Sequence, residues 1–96
     1  MHIGVLQFSM AIPHAQSLKD KRSVVQSLKE QVRKSFNVSI AEIDDHDLWD
    51  LATFGCAVVG TDVPRLNGAL DKLLNALDAW RDARLEDHQL EIISPR

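Results

Sequence analysis

The chain has 96 residues, of which 45% are hydrophobic, a formal net charge of −3 and one cysteine. A chain of this length buries one core, so we expect a single domain over residues 1–96 and exclude a second, catalytic domain. One cysteine excludes an internal disulfide framework, and no run of about 18 apolar residues predicts a membrane helix. The start lacks a secretory signal pattern, so we expect a cytoplasmic protein without membrane contact.

The charge is distributed unevenly along the chain. Residues 1–41 carry six bases and two acids, a net charge of +4, whereas residues 42–96 carry five bases and twelve acids, a net charge of −7. Such asymmetry predicts one basic face that attracts an anionic partner.

The first half of the chain predicts a strand, a helix and a strand. Residues 3–12 alternate as in a strand, with one side formed by Leu6, Phe8, Met10 and Ile12. Ser17 to Asp20 form a start similar to a capping box, which predicts a helix from Leu18 to about Phe36 that ends at Asn37. The alternation from Val38 onward predicts the second strand.

The second half repeats this order. Residues 52–59 predict a third strand, and Thr61 or Asp62 caps a second helix that has Pro64 in its first turn. One side of this helix carries Leu66, Leu70, Leu73, Leu77 and Trp80. Residues 90–93 predict a short fourth strand.

The element order βαββαβ favours an α+β fold. With right-handed crossovers and both helices on one face, we expect a ferredoxin-like sandwich with a four-stranded antiparallel sheet, in which the first and third strands are central. This topology brings the connection between the second and third strands to the edge where the first helix begins.

That connection, residues 42–50, contains five carboxylates, a histidine and a tryptophan. Lys21 falls on the apolar side of the first helix at about 100° per residue, and its nearest predicted partners are Asp44, Asp45 and Asp47. Either a salt bridge locks the turn to the helix, or the helix start and Lys21 bind an anionic ligand.

Two further side chains leave alternatives open. Trp49 either packs on the sheet edge or, if exposed, marks an interface, and His46 is interpreted as a hydrogen-bonded turn residue. We therefore predict a conformational or interaction turn formed by Lys21, Asp44, Asp45, His46, Asp47 and Trp49.

Neither a metal nor a cofactor is expected. Asp44, His46 and Asp50 carry ligand atoms, but no second His or Cys pair has zinc-like spacing, and the glycine and closing glutamate of a calcium loop are missing. Cys56 lies in an apolar run and is interpreted as a packing residue. We expect no enzyme and no catalytic residue, and keep as an outside alternative a small metal-dependent hydrolase that uses Asp45, His46 and Asp47.

Two surfaces are candidates for binding. One stripe of the first helix is predicted to contact the phosphates of RNA through Lys19, Arg22, Lys29 and Arg33, without readout of a DNA sequence. A solvated helix face is the alternative, and the sheet lacks the paired aromatics that stack RNA bases. The uncovered sheet face is predicted to drive self-association through Ile3, Val5, Ala41, Ile43, Ala57, Val59 and Ile93.

Three segments carry a resemblance to a known family. I-P-H-A-Q-S-L-K-D-K-R (12–22), F-N-V-S-I-A-E-I-D-D-H-D-L-W (36–49) and A-T-F-G-C-A-V-V-G (52–60) resemble the YlxP-like family of small bacterial proteins of unknown function. The resemblance covers nearly the whole chain and implies a ferredoxin-like fold. Members are often encoded beside translation initiation and ribosome-maturation factors, which implies a task connected with RNA or the ribosome, and the resemblance implies no catalytic residue.

Overall fold

The computed structural model describes residues 1–95 and has the predicted element order. The elements are β1 (His2–Ala11), α1 (Leu18–Ser35), β2 (Ser39–Asp44), β3 (Leu51–Gly60), α2 (Val63–Asp78) and β4 (Arg84–Ile93). The sheet order is β2-β3-β1-β4, and all three pairs of neighbours are antiparallel. This confirms the ferredoxin-like α+β fold, with β1 and β3 central.

Helix α1 begins as its sequence predicts. Ser17 is the N-cap, and its Oγ accepts a hydrogen bond of 3.1 Å from the Asp20 backbone N–H. The reciprocal contact differs from the predicted box, because the Asp20 carboxylate accepts from the Gln16 N–H. The helix ends one residue before the predicted Phe36, which is the C-cap.

Helix α2 is capped by Asp62, whose side chain accepts from the Arg65 N–H, and Pro64 lies in its first turn. The helix buries Leu66, Leu70, Leu73 and Leu77 against the sheet. Trp80, the last member of the predicted stripe, lies beyond the helix end and packs half-buried against the core. A Cβ on Gly4 would lie 2.7 Å from Leu70 Cδ1, so the glycine allows this helix to approach β1 closely.

The core lies between the helices and one face of the sheet. As predicted, β1 directs Leu6, Phe8 and Met10 into it, and the Phe8 and Phe54 rings stack with their centroids 5.1 Å apart. Cys56 is buried in the same layer. The predicted face assignments of β1 and β3 are therefore confirmed.

The fourth strand is longer than its sequence predicts, since it begins at Arg84 rather than at Leu90. Residues 84–89 are mostly polar because β4 is an edge strand with an uncovered face, and a β-bulge opposite Ser9 and Met10 interrupts their alternation. No helix within residues 1–95 is long and apolar enough to cross a membrane.

Candidate functional site

Lys21 is a buried charged residue at the junction of α1 and the β2–β3 turn. It lies on the sheet-facing side of α1 with Val25, Leu28 and Val32, and only 2% of its surface is exposed. Its Nζ lies 3.0 Å from Glu42 Oε2 and donates a hydrogen bond of 2.6 Å to the backbone carbonyl of Asp45. A buried ammonium needs such partners, because it has lost its hydration.

The carboxylate that pairs with Lys21 is not one of those predicted. Asp44, Asp45 and Asp47 were expected, but the partner is Glu42, and Asp45 contributes its carbonyl instead of its side chain. Glu42 is opposite the buried Phe54 in the β2–β3 register, so its side chain points towards α1. Its Oε2 is buried and has no hydrogen-bond partner within residues 1–95, so the contact with Lys21 is an ion pair without hydrogen-bond geometry.

Asp45 sets the shape of the turn. Its φ of 61° is in the left-handed region, which aspartate tolerates better than most residues. Its Oδ2 accepts a hydrogen bond of 2.6 Å from Thr53 Oγ1, and its carbonyl accepts from the Leu48 N–H as well as from Lys21. The turn is therefore held to both β3 and α1 at Asp45.

The apex of the turn, which we define as residues 46–50, faces outward. His46, Asp47, Leu48, Trp49 and Asp50 are all exposed. Leu48 and Trp49 keep 44% and 50% of their surface exposed, so the Trp49 side chain is not buried against the sheet edge. At the base of the apex the Asp50 carbonyl accepts from the Ile12 N–H, which ties this end to β1.

The predicted basic stripe on α1 is only partly free. Lys19 and Arg22 are exposed and Lys29 is half-buried, and none of the three forms a salt bridge within residues 1–95. Arg33 differs, because its Nη2 donates a hydrogen bond of 3.0 Å to the Ile40 carbonyl of β2. Three of the four predicted cations are thus available to a ligand, and the fourth supports the fold.

The uncovered face of the sheet carries the apolar side chains that the alternation predicts. Ile3 is opposite Val59 on one side and Ile93 on the other, so these three form a row across β3, β1 and β4. Val59 is 64% exposed and Ile93 41% exposed. Nearer the turn, the face becomes polar around a shallow depression of about 210 Å³ that is lined in part by Gln7, Ser9, Thr53, Asp87 and Gln89.

The chemistry of the remaining candidates is limited. Burial raises the pKa of the Cys56 thiol to about 12, so the group stays protonated at neutral pH and serves as a packing residue. Within residues 1–95, no three His, Cys, Asp or Glu side chains are arranged to hold a metal ion. The Asp45 carboxylate is bound to Thr53, whereas His46 and Asp47 are exposed.

Sequence reasoning missed Glu42 and Thr53. The signal for Glu42 was present, because alternation places it on the opposite side of β2 from Ala41 and Ile43, and that side faces α1. Thr53 carried no signal in the sequence, since its contact with Asp45 depends on the irregular register between Glu42 and Asp44.

The fold and these surfaces define a small ferredoxin-like α+β domain with a buried ion pair at one turn. Residues 3–90 match the family described as a protein of unknown function (DUF503), and the chain belongs to that family. Over 78 residues it is 35% identical to the uncharacterized protein YlxP of Bacillus subtilis (strain 168). These 78 residues cover 81% of this chain and 85% of that relative.

Proposed function

We propose that this chain is a non-enzymatic, cytoplasmic binding protein whose outward face of α1 contacts the phosphates of RNA. The observation that carries the proposal is the set of three cations on that face, Lys19, Arg22 and Lys29, which have no acidic partner within residues 1–95. Unpaired cations along one helix face suit a polyanion, because each releases a counterion from the nucleic acid on binding.

We expect the protein to bind RNA with little preference for its base sequence. Three phosphate contacts predict a slope of about −2 in a plot of log K against log salt for a single strand, at roughly −0.7 per contact. The aromatic side chains of the strands, Phe8 and Phe54, are buried and cannot stack on bases, so we expect the contacts to orient the RNA backbone and to read no base.

The test is fluorescence anisotropy of a labelled single-stranded RNA at several salt concentrations. The variant Lys19→Gln/Arg22→Gln/Lys29→Gln is expected to lose most of the affinity and to flatten the salt dependence. A matched control, Arg65→Gln/Lys72→Gln/Arg81→Gln, removes the same charge from exposed positions in the second half of the chain. Equal losses in both variants, or no binding by the unaltered protein, would contradict the proposal.

Self-association through the uncovered sheet face is the second candidate, and the row of Ile3, Val59 and Ile93 favours it. A second copy that covers this row would remove exposed apolar surface, at about 25 cal/mol per Å². Sedimentation at micromolar concentrations should therefore show a dimer.

The change Val59→Glu should dissociate that dimer, because it places a carboxylate in the row. Ala69→Glu, at an exposed position of α2, is the control and should leave the mass unchanged. A monomer at all concentrations up to the millimolar range would eliminate this candidate.

A further inference from the structure

The apex of the β2–β3 turn exposes apolar surface on a firmly held base. Leu48 and Trp49 are neighbours in sequence and about half of each side chain is exposed. Aromatic residues are enriched where proteins meet, so an exposed tryptophan beside an exposed leucine suits a protein partner. The backbone around them is fixed by Asp45 and by the hydrogen bond from Ile12 to Asp50.

The charge around this apolar pair selects the chemistry of its partner. Asp44, Asp47 and Asp50 are exposed, and no cation forms a salt bridge with them within residues 1–95. Lys21, the cation held at this turn, is already paired with Glu42. The field around Trp49 therefore repels phosphate and attracts a cation.

We propose that the apex is a docking site for an arginine- or lysine-bearing segment of a partner protein. The face of the Trp49 indole receives a cationic side chain, since cations are attracted to the ring face, and arginine also stacks on it through its planar guanidinium. Asp47 and Asp50 pair with further cationic side chains of the partner segment. Leu48 packs against the aliphatic stems of those arginine or lysine side chains.

This site shares no residue with the proposed RNA surface and is opposite to it in charge. The α1 stripe attracts an anion, whereas the apex attracts a cation, so the two surfaces do not compete for one ligand. Because Lys21, Thr53 and Ile12 fix the base of the apex in the unbound protein, binding orders few new groups.

The probe for this proposal is a hexa-arginine peptide, with hexaglutamate as the opposite-charge control. In the Trp80→Phe protein, Trp49 is the sole tryptophan, so its fluorescence reports on the apex alone. Hexa-arginine should change the fluorescence in a saturable and salt-dependent way, and hexaglutamate should not. Anisotropy of a labelled peptide with the unaltered chain gives a second readout that does not depend on Trp80→Phe.

Two pairs of variants separate docking from general acidity. Asp47→Asn/Asp50→Asn should weaken hexa-arginine binding by fivefold or more, on the order of 1 kcal/mol, the strength of exposed charge pairs. The control Asp71→Asn/Asp78→Asn removes two exposed carboxylates from α2 and should change it little. Trp49→Ala should also weaken peptide binding but leave RNA affinity unchanged.

Three results would overturn the inference. These are no response to hexa-arginine, equal losses in both aspartate pairs, or a Trp49 signal that changes with protein dilution but not with peptide. A fourth result, a response of the apex to RNA instead of the peptide, would equally refute it, and of the four results only this one also bears on the α1 stripe.

Discussion

The two halves of the domain place different side chains at the same point. In β1–α1–β2 and in β3–α2–β4 a helix begins at a capping residue, Ser17 or Asp62, and the fourth residue after the cap faces the sheet. That residue is Lys21 in one half and Leu66 in the other, and each N–H donates to the carbonyl of its cap. Both are buried, at 2% and 4% exposure.

Their surroundings explain why both are accommodated. A Cβ built on Gly4 or Gly60 would lie 3.3 Å from a Leu66 side-chain atom, so the leucine packs closely over two glycines. Lys21 instead has Glu42 and the Asp45 carbonyl as partners. The same helix position closes the core in the second half, whereas in the first half it fixes a turn, at the cost of desolvating two charges.

The largest expected effect on stability is at Leu66, in the second half of the domain. Leu66→Ala should lower the free energy of unfolding by about 2–5 kcal/mol, because it leaves a cavity over Gly4 and Gly60. Urea denaturation measures this loss. The control Leu66→Met conserves volume and should lower the free energy of unfolding by less than about 1.5 kcal/mol. A loss as large as that of Leu66→Ala would mean that close packing over the two glycines does not explain the stability.

The next largest effect on stability is expected at Lys21, in the first half of the domain. Lys21→Met should cost about 1–3 kcal/mol, because it leaves the Glu42 carboxylate without its cation. A double-mutant cycle with Glu42→Gln should show coupling, since the two groups are in contact. The same cycle with Asp45→Asn should show much less, because Lys21 binds the Asp45 backbone. Coupling to Asp45 but not to Glu42 would reverse the assignment.

A smaller effect on stability is expected at Asp45, the residue of the turn with a left-handed backbone conformation. Asp45→Ala and Asp45→Gly both remove the bond from Thr53, but only alanine is strained at a φ of 61°. The free energy of unfolding of the Asp45→Ala variant should therefore be lower than that of the Asp45→Gly variant by about 1 kcal/mol. Thermal unfolding of the two variants gives this difference directly, and equal stabilities would mean that the turn relaxes.

The smallest effect concerns the ion pair of the second half. Arg84 and Glu86 are exposed on β4, with a closest N–O distance of 2.7 Å. Arg84→Ala should change the free energy of unfolding by less than about 0.5 kcal/mol, as is usual for exposed pairs. Denaturation of this variant beside Lys21→Met compares an exposed pair with a buried pair in one protein, and a loss as large as that of Lys21→Met would contradict the distinction.

The sequence predicts the fold well because its signals are local. The alternation around Phe8, the cap at Ser17 and the leucine stripe of α2 each specify an element, and the order of the elements leaves one simple topology. The length of β4 was the exception, since the polar residues of an edge strand and a bulge hide its period.

The site was predicted less completely. The burial of Lys21 follows from its angle on the helix, but its partner depends on which side of β2 each acid occupies. The topology brings the turn to the start of α1 and favoured Asp44, Asp45 and Asp47, whereas the side-chain direction selects Glu42. The engagement of Arg33 with β2 also had no sequence signal, because a helix stripe shows which cations share a face but not which of them reach a neighbouring strand.

The contact of Arg33 with Ile40 has a consequence for behaviour at high concentration. Strand β2 is one edge of the sheet and has six residues, and the edge of a sheet is where strands of other molecules add and aggregates begin. The guanidinium engages a backbone acceptor there, and the irregular register after Glu42 further limits continuous pairing. We therefore expect the Arg33 side chain, which the sequence predicts to bind RNA, also to hinder the addition of another strand at this edge.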